Sequence, residues 1–288
     1  MSYWHIDYHS KYQALTFEVT ESLESIQSPY QKIEVVETPA YGKVLLLDGD
    51  LMLTEKDEFA YHEMLVHPTM FTHDHPKKVL IIGGGDCGTL TRVLQHKSTE
   101  KVVMVELDEL VTKVSKKYFP HLVSSTQDPR VSIIFTDGIK YVHNCTDKYD
   151  VILVDSTDPV GPAEGLFRLN FFKDCFKILD EDGILCLQSE SPWIPELAEL
   201  ISQVNQNLKS LFPIVKAYGA AIQTYQAGFW LFQIASKKYH PLSAEIERKI
   251  IEANLNTKYY NSKIHYAAFI LPTFVNELIN ETSKNNIE

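Results

Sequence analysis

The sequence predicts an α/β fold, a doubly wound and mainly parallel sheet of Rossmann-like type preceded by a small N-terminal antiparallel β domain. Three observations predict it. Apolar runs of strand length, Val79–Ile82, Val102–Val105, Val131–Phe135, Val151–Val154 and Ile184–Leu187, alternate with helical stretches. Runs without polar alternation suit strands buried on both faces, and strands that alternate with helices pair in parallel. Asp86, Glu106, Asp137 and Asp155 follow four of these runs, and such sheets bind ligands beyond the carboxyl ends of their strands. Finally, the chain ahead of Glu58 has another texture, with short strand and turn patterns only.

In the N-terminal unit, Ile33–Val36 and Lys43–Leu47 are β-branched or apolar. Pro39-Ala40-Tyr41-Gly42 turns between them, and Asp48-Gly49-Asp50 ends the second run. The next apolar pattern has helical spacing and predicts a helix over Glu58–Met70. We therefore divide the chain into an N-terminal β-strand domain, residues 1–55, and a Rossmann-like catalytic domain, residues 56–288. The polar tail Glu281–Asn286 is expected to fray.

The net charge of −11 over 288 residues argues against nucleic acid, which draws basic surfaces. It suits a cationic substrate through steering, although acidity also serves solubility alone. There is no apolar run of membrane-spanning length and no basic-then-apolar leader, so neither a membrane span nor a signal peptide is expected. Cys87, Cys145, Cys175 and Cys186 show no pairing or metal-ligand spacing; free thiols in a reducing cytoplasm are expected.

Gly83-Gly84-Gly85-Asp86-Cys87-Gly88 follows the first buried run. Glycines allow a tight turn and a close approach to a ligand. The string lacks the Gly-Lys-Ser/Thr ending of a phosphate loop, and the carboxylate of Asp86 stands where a phosphate would lie, so it suits a nucleoside carrying a cation. Glu106 ends the next run, at the position where an acid accepts from ribose hydroxyls, with Asp108 the better candidate for a helix cap. Asp137-Gly138 closes the third run and suits the adenine amino group; an Asp-Gly turn without a ligand is the plainer alternative. Asp155-Ser156-Thr157-Asp158-Pro159-Val160-Gly161-Pro162 is the most specific string. It fixes two carboxylates three residues apart with prolines, which lower loop entropy. A dication would relieve their repulsion, and no third acid or His stands at metal-ligand spacing.

Together with Thr54-Glu55-Lys56-Asp57-Glu58-Phe59-Ala60-Tyr61-His62-Glu63-Met64, these strings occur in an order that resembles the polyamine synthase family, of the spermidine-synthase type. The resemblance extends past Lys237. It implies a class I methyltransferase-like catalytic domain, a homodimer or homotetramer, and transfer of an aminopropyl group from decarboxylated S-adenosylmethionine to putrescine, with no cofactor and no metal. By resemblance, Asp155 is the proton acceptor. Tyr61, His62, Asp158 and Tyr225 bind the polyamine, and Asp86 holds the amine of the aminopropyl donor. Gln31, Glu106, Asp137, Gly138 and Pro162 contact the nucleoside, while Gln188 and Trp193 are weaker candidates beside the amine channel. The chain departs from the family's usual residues at Cys87, Thr91-Arg92, Gln226-Ala227 and Met52; the last two leave the acceptor amine open. A methyltransferase is the first rival, which Asp86 disfavours because intact S-adenosylmethionine would bring a carboxylate to it. A polyamine sensor and an NAD-dependent dehydrogenase are the others.

Overall fold

A computed structural model describes residues 2–159 and 161–280, apart from the side chain of Pro162. The expectations for Val160 and for the Glu281–Asn286 tail lie outside the described residues.

The N-terminal segment forms two antiparallel sheets. β1 (Tyr3–Tyr8) pairs with β2 (Ala14–Val19), and β3 (Glu21–Gln27), β4 (Lys32–Thr38), β5 (Gly42–Leu47) and β6 (Asp50–Thr54) pair in sequence. Side chains alternate across a strand, and here both faces are covered. Ile33, Val35, Leu45 and Leu47 pack on Val111, Val114 and Phe119 from the following domain. Val36, Val44 and Leu46 pack on Phe17 and Val19.

The helix expected over Glu58–Met70 runs on to Thr72 as α1 (Glu58–Thr72), buried at every residue but Phe59. A helix buried all round needs no polar face. It is followed by β7 (Lys78–Gly83), α2 (Gly88–Leu94), β8 (Lys101–Glu106), α3 (Glu109–Tyr118), α4 (Pro120–Val123), β9 (Val131–Phe135), α5 (Gly138–Asn144), β10 (Tyr149–Asp155), α6 (Leu169–Ile178), β11 (Leu179–Gln188), α7 (Pro195–Lys209), β12 (Ile214–Ala221) and β13 (Phe229–Ser236). Three short helices, α8 (Glu245–Ala253), α9 (Ser262–Ala268) and α10 (Thr273–Asn280), complete the described chain.

The main sheet has the order β12-β13-β11-β10-β7-β8-β9, parallel from β11 to β9. The five expected strands form that parallel part; β12 and β13 extend it antiparallel. Alternation along β7 again decides the layers: Val79 and Ile81 face Met64 and Leu65 of α1, while Leu80 and Ile82 face Val142 and Phe171. Each such buried aliphatic side chain contributes roughly 1.5–3 kcal/mol.

Candidate active site at the strand ends

The strand order reverses between β7 and β10, which pair with Gly83 opposite Asp155. Open α/β sheets bind ligands at such a switch point. The glycine loop is shaped by its neighbour first. Gly83 has φ +84°, and a Cβ there would lie 2.0 Å from the Asp155 carbonyl oxygen. The Gly84 N–H donates to that same oxygen at 2.8 Å. Cys87 takes φ +69° just before α2, a left-handed conformation that costs a side-chain-bearing residue roughly 1–2 kcal/mol.

On the β8 side the acids are held by backbone. Glu106 is buried and its Oε1 accepts from the Asp108 N–H at 2.8 Å. Burial pushes its carboxyl up to about 7, with the Asp108 charge adding and the backbone N–H groups opposing. Gly85 leaves the room: a Cβ there would lie 2.9 Å from Glu106 Oε2. Asp108 caps α3 through the Leu110 N–H at 3.0 Å, as its position suggests, and also accepts from Gln31 Nε2 at 3.2 Å. Gln31 thereby ties β4 to the site. Asp137 caps α5, with Oδ1 accepting from the N–H groups of Ile139 (2.9 Å) and Lys140 (3.2 Å). The plain turn role is thus filled by Oδ1, while Oδ2 lies 3.4 Å from Lys140 Nζ. Gly138 packs where a Cβ would meet Ile82 at 2.7 Å. The Pro162 side chain lies outside the described residues.

On the β10 side the acids accept from side chains instead. The Tyr61 hydroxyl donates to Asp155 Oδ1 at 2.7 Å. Asp155 Oδ2 is buried without a formed hydrogen bond, next to a Thr89 hydroxyl that is also unpaired. Burial raises the Asp155 carboxyl above its ordinary range, and the Asp86 charge raises it further. Burial also works against ionising Asp86, but there the charge of His62 and the Gly88 N–H (2.6 Å) outweigh it and lower the carboxyl. Burial and the charge of Asp50 lift Asp158 to about 6, against a hydrogen bond from Gln226 Nε2 at 3.2 Å. The Tyr225 ring lies tilted against Tyr61, 5.4 Å between centroids, and its hydroxyl donates to the Met52 carbonyl at 2.8 Å.

A cavity of about 550 Å³ opens on this side, between the Asp7–Lys11 turn and the loop Ser156–Pro159. Tyr61, Asp158, Gln188, Tyr225 and Gln226 line it. Two expected residues stand elsewhere. His62 presents no free nitrogen to an amine: Nδ1 is 2.8 Å from Glu58 Oε2 and Nε2 is 3.3 Å from Asp86 Oδ1. Trp193 is 53% exposed and packs on Phe274 rather than on the cavity wall.

Sequence reasoning missed four participants. Asp7 and Asp50 reach the cavity from the N-terminal sheets, and no motif marks them. Buried Glu190 lies behind Gln188, which donates to it at 3.0 Å, and the proximity of Asp158 helps burial to raise it. Asp57 Oδ2 accepts from the N–H and hydroxyl of Thr224 at 3.0 and 2.9 Å, which anchors the loop carrying Tyr225. Only Asp57 carried a signal, through its place in the Thr54–Met64 string.

Comparison with known proteins matches residues 58–249 to the spermine/spermidine synthase domain and residues 3–55 to the spermidine synthase tetramerisation domain. The chain is 46% identical to the polyamine aminopropyltransferase of Alkaliphilus metalliredigens, over 97% of this chain and 98% of that one. Identity to the same-named protein of Thermoanaerobacter pseudethanolicus is 46%, over 98% and 100%. The crystal structure of spermidine synthase from Thermotoga maritima superposes with a TM-score of 0.90 at 37% identity, covering 96% of this chain and 94% of that one. A spermidine synthase in complex with the transition-state analogue AdoDATO gives 0.92 at 38% identity, with the same coverage.

Proposed function

This chain belongs to the spermine/spermidine synthase family and is a polyamine aminopropyltransferase; on that premise we propose that its donor is decarboxylated S-adenosylmethionine and its acceptor putrescine, giving spermidine and 5′-methylthioadenosine. The observation that carries the reading is the pair of differently held acids at the switch point, Asp86 with His62 Nε2 at 3.3 Å and the Gly88 N–H at 2.6 Å, and Asp155 with the Tyr61 hydroxyl at 2.7 Å.

The donor is a sulfonium, so the carbon beside sulfur is already activated and the reading calls on no metal or cofactor. The acceptor is the obstacle. An alkylamine with a lysine-like pKa near 10.4 is about 3 units from neutral at pH 7, which costs roughly 4–5 kcal/mol. Burial and the Asp86 charge raise Asp155, which favours its protonated form, and its Oδ2 has no hydrogen bond and would receive the proton. As the amine nitrogen bonds to the donor carbon, the carbon–sulfur bond breaks and its electron pair remains on sulfur as a neutral thioether. The proton passes to Asp155. Asp158, at the cavity wall, holds the distal ammonium, an ion pair worth roughly 4 kcal/mol at 4 Å and an effective dielectric of 20. Positioning for in-line attack contributes the remainder.

In this reading Asp86 meets the amine of the donor, Glu106 the ribose, and Asp137 Oδ2 with the Gly138 backbone the adenine. Gln31 and Pro162 complete the nucleoside set, with Tyr61 and Tyr225 as amine-channel walls. Exposed Tyr3, Trp4, Ile6 and Tyr8 on β1 and Tyr12 beyond it are the surface through which we expect a homodimer or homotetramer to form. The cytoplasm is the expected compartment: the described cysteines are free, and no described helix is long and apolar enough to cross a membrane. An acceptor screen with decarboxylated S-adenosylmethionine, read by mass spectrometry, tests the proposal. Spermidine and methylthioadenosine in equal amounts are expected. Activity with intact S-adenosylmethionine alone would contradict it.

A further inference from the structure

Behind the glycine loop runs a chain of side chains that the reaction itself does not touch. Arg92 Nη2, on α2, is 2.9 Å from Glu58 Oε1. Glu58 Oε2 is 2.8 Å from His62 Nδ1, one turn along α1. His62 Nε2 is 3.3 Å from Asp86 Oδ1, and that same oxygen takes the Gly88 N–H at 2.6 Å. The side chains of Arg92, Glu58 and His62 are 10%, 4% and 3% exposed. The fit around His62 is tight enough to dictate a neighbouring residue: a Cβ on Gly88 would lie 2.1–2.4 Å from the His62 ring.

Charges removed from water at this depth are costly unless paired and alternating, and these alternate: cation, anion, imidazole, anion. The sign of the imidazole follows from its partners. Burial would discharge His62, but Asp86 and Glu58 raise it to about 10. Burial would likewise protonate Glu58, but His62 and Arg92 hold it at about 2. Other groups face the chain as well. Tyr61 lies edge-on to His62 at 5.4 Å, His121 Nε2 is 3.8 Å from Glu58, and Asp155 and Tyr225 lie close enough to feel the Asp86 charge. None of these supplies Asp86 with a buried cation; His62 does.

We propose that Arg92, Glu58 and His62 form a buried positioning relay that keeps Asp86 an anion beside Asp155, so that one acid binds the donor's ammonium and the other is left to take the proton. Two carboxylates in one site do not sort themselves into an ion and a base; unlike environments sort them. The relay supplies the unlike environment from the side away from substrate, and it turns the departure at position 92 into a working part of this chain. It rests on the donor reading given above.

The test compares two ligands by calorimetry between pH 6.5 and 9: decarboxylated S-adenosylmethionine, and 5′-methylthioadenosine, which lacks the amine. In wild type the amine-bearing ligand binds more tightly, by a ratio that stays flat across the range. In His62→Gln the ratio falls by about tenfold or more at pH 6.5, as an Asp86 that titrates about one unit above that pH requires, and recovers as pH rises and Asp86 ionises without its partner. Methylthioadenosine affinity stays within about twofold, which a purely structural defect would not spare. The double variant Glu58→Gln/Arg92→Gln removes a neutral pair, leaves the ring in place, and is expected to shift the ratio the same way, so the result does not hang on one variant's folding. A flat, wild-type ratio in both variants overturns the relay while leaving the donor reading intact. A wild-type protein that binds the two ligands alike overturns the donor reading and the relay with it.

Discussion

The two halves of the site hold their acids in opposite ways. On the β8 side, Glu106, Asp108 and Asp137 each accept backbone N–H groups near a helix start, and Asp86 adds Gly88 and His62. These carboxylates are set by the fold before any ligand arrives; Glu106, raised by burial, is the least settled of them. On the β10 side, burial raises Asp155, Asp158 and Glu190, neighbouring acids raise each further, and the basic groups nearby do not offset this. On the proposed function, the two substrates complete different halves. The nucleoside would enter a preformed frame, and the amine would bring positive charge to the half whose acids are raised.

The comparison breaks most visibly at Asp155. General-base catalysis contributes about 10²–10⁴-fold, so Asp155→Asn should lower kcat by that range in steady-state assays while methylthioadenosine affinity, measured by calorimetry, stays nearly unchanged. A rise in KM with kcat preserved would move the proton to Tyr61 or a water. At the boundary between the halves, Asp86→Asn should weaken decarboxylated S-adenosylmethionine by roughly 10–100-fold, the scale of a lost buried charge pair, and methylthioadenosine far less; calorimetry on both ligands reads the difference. Asp158→Asn should raise the KM for putrescine by about tenfold or more with a smaller change in kcat, since its contact is made in ground and transition states alike.

The smallest effect is on stability, and its sign is opposite to that of a paired acid. Asp158 is held at about 6, above its ordinary 3.8, so the folded protein binds more protons between those values and loses stability as pH rises through that window. Asp158→Asn keeps an acceptor for Gln226 and removes the charge. Its Tm should exceed that of wild type by about 2–4 °C at pH 8, a gain of about 1 kcal/mol, and the advantage should vanish near pH 4. Scanning calorimetry at the two pH values checks it.

Much of this was legible in the sequence because the backbone itself encodes it. Buried strands read as unbroken apolar runs, and Asp155 and Glu106 stand at strand ends by position alone. Asp108 was readable as a cap because capping is local. What stayed hidden depends on distant partners. Nothing local says that Asp7 and Asp50 face Asp158 across the cavity, or that both nitrogens of His62 are engaged, one of them by Glu58 a helical turn away and the other by Asp86 across the fold. β12 and β13 join the sheet antiparallel, a placement set by tertiary pairing rather than by the period of their residues. Arg92 reads in the sequence only as a departure from the family's usual residues; its place against Glu58 appears only once α1 and α2 are packed.

On the proposed function, the β10 half is completed by a second positive charge on the acceptor. Putrescine and n-butylamine have similar length and differ in that charge. Comparing their kcat/KM values with decarboxylated S-adenosylmethionine, in wild type and in Asp158→Asn, isolates it. Wild type is expected to prefer putrescine by at least about tenfold, as one distal ion pair of more than 1.4 kcal/mol requires, and the variant to lose most of this preference. Comparable values for the two amines in wild type would contradict it.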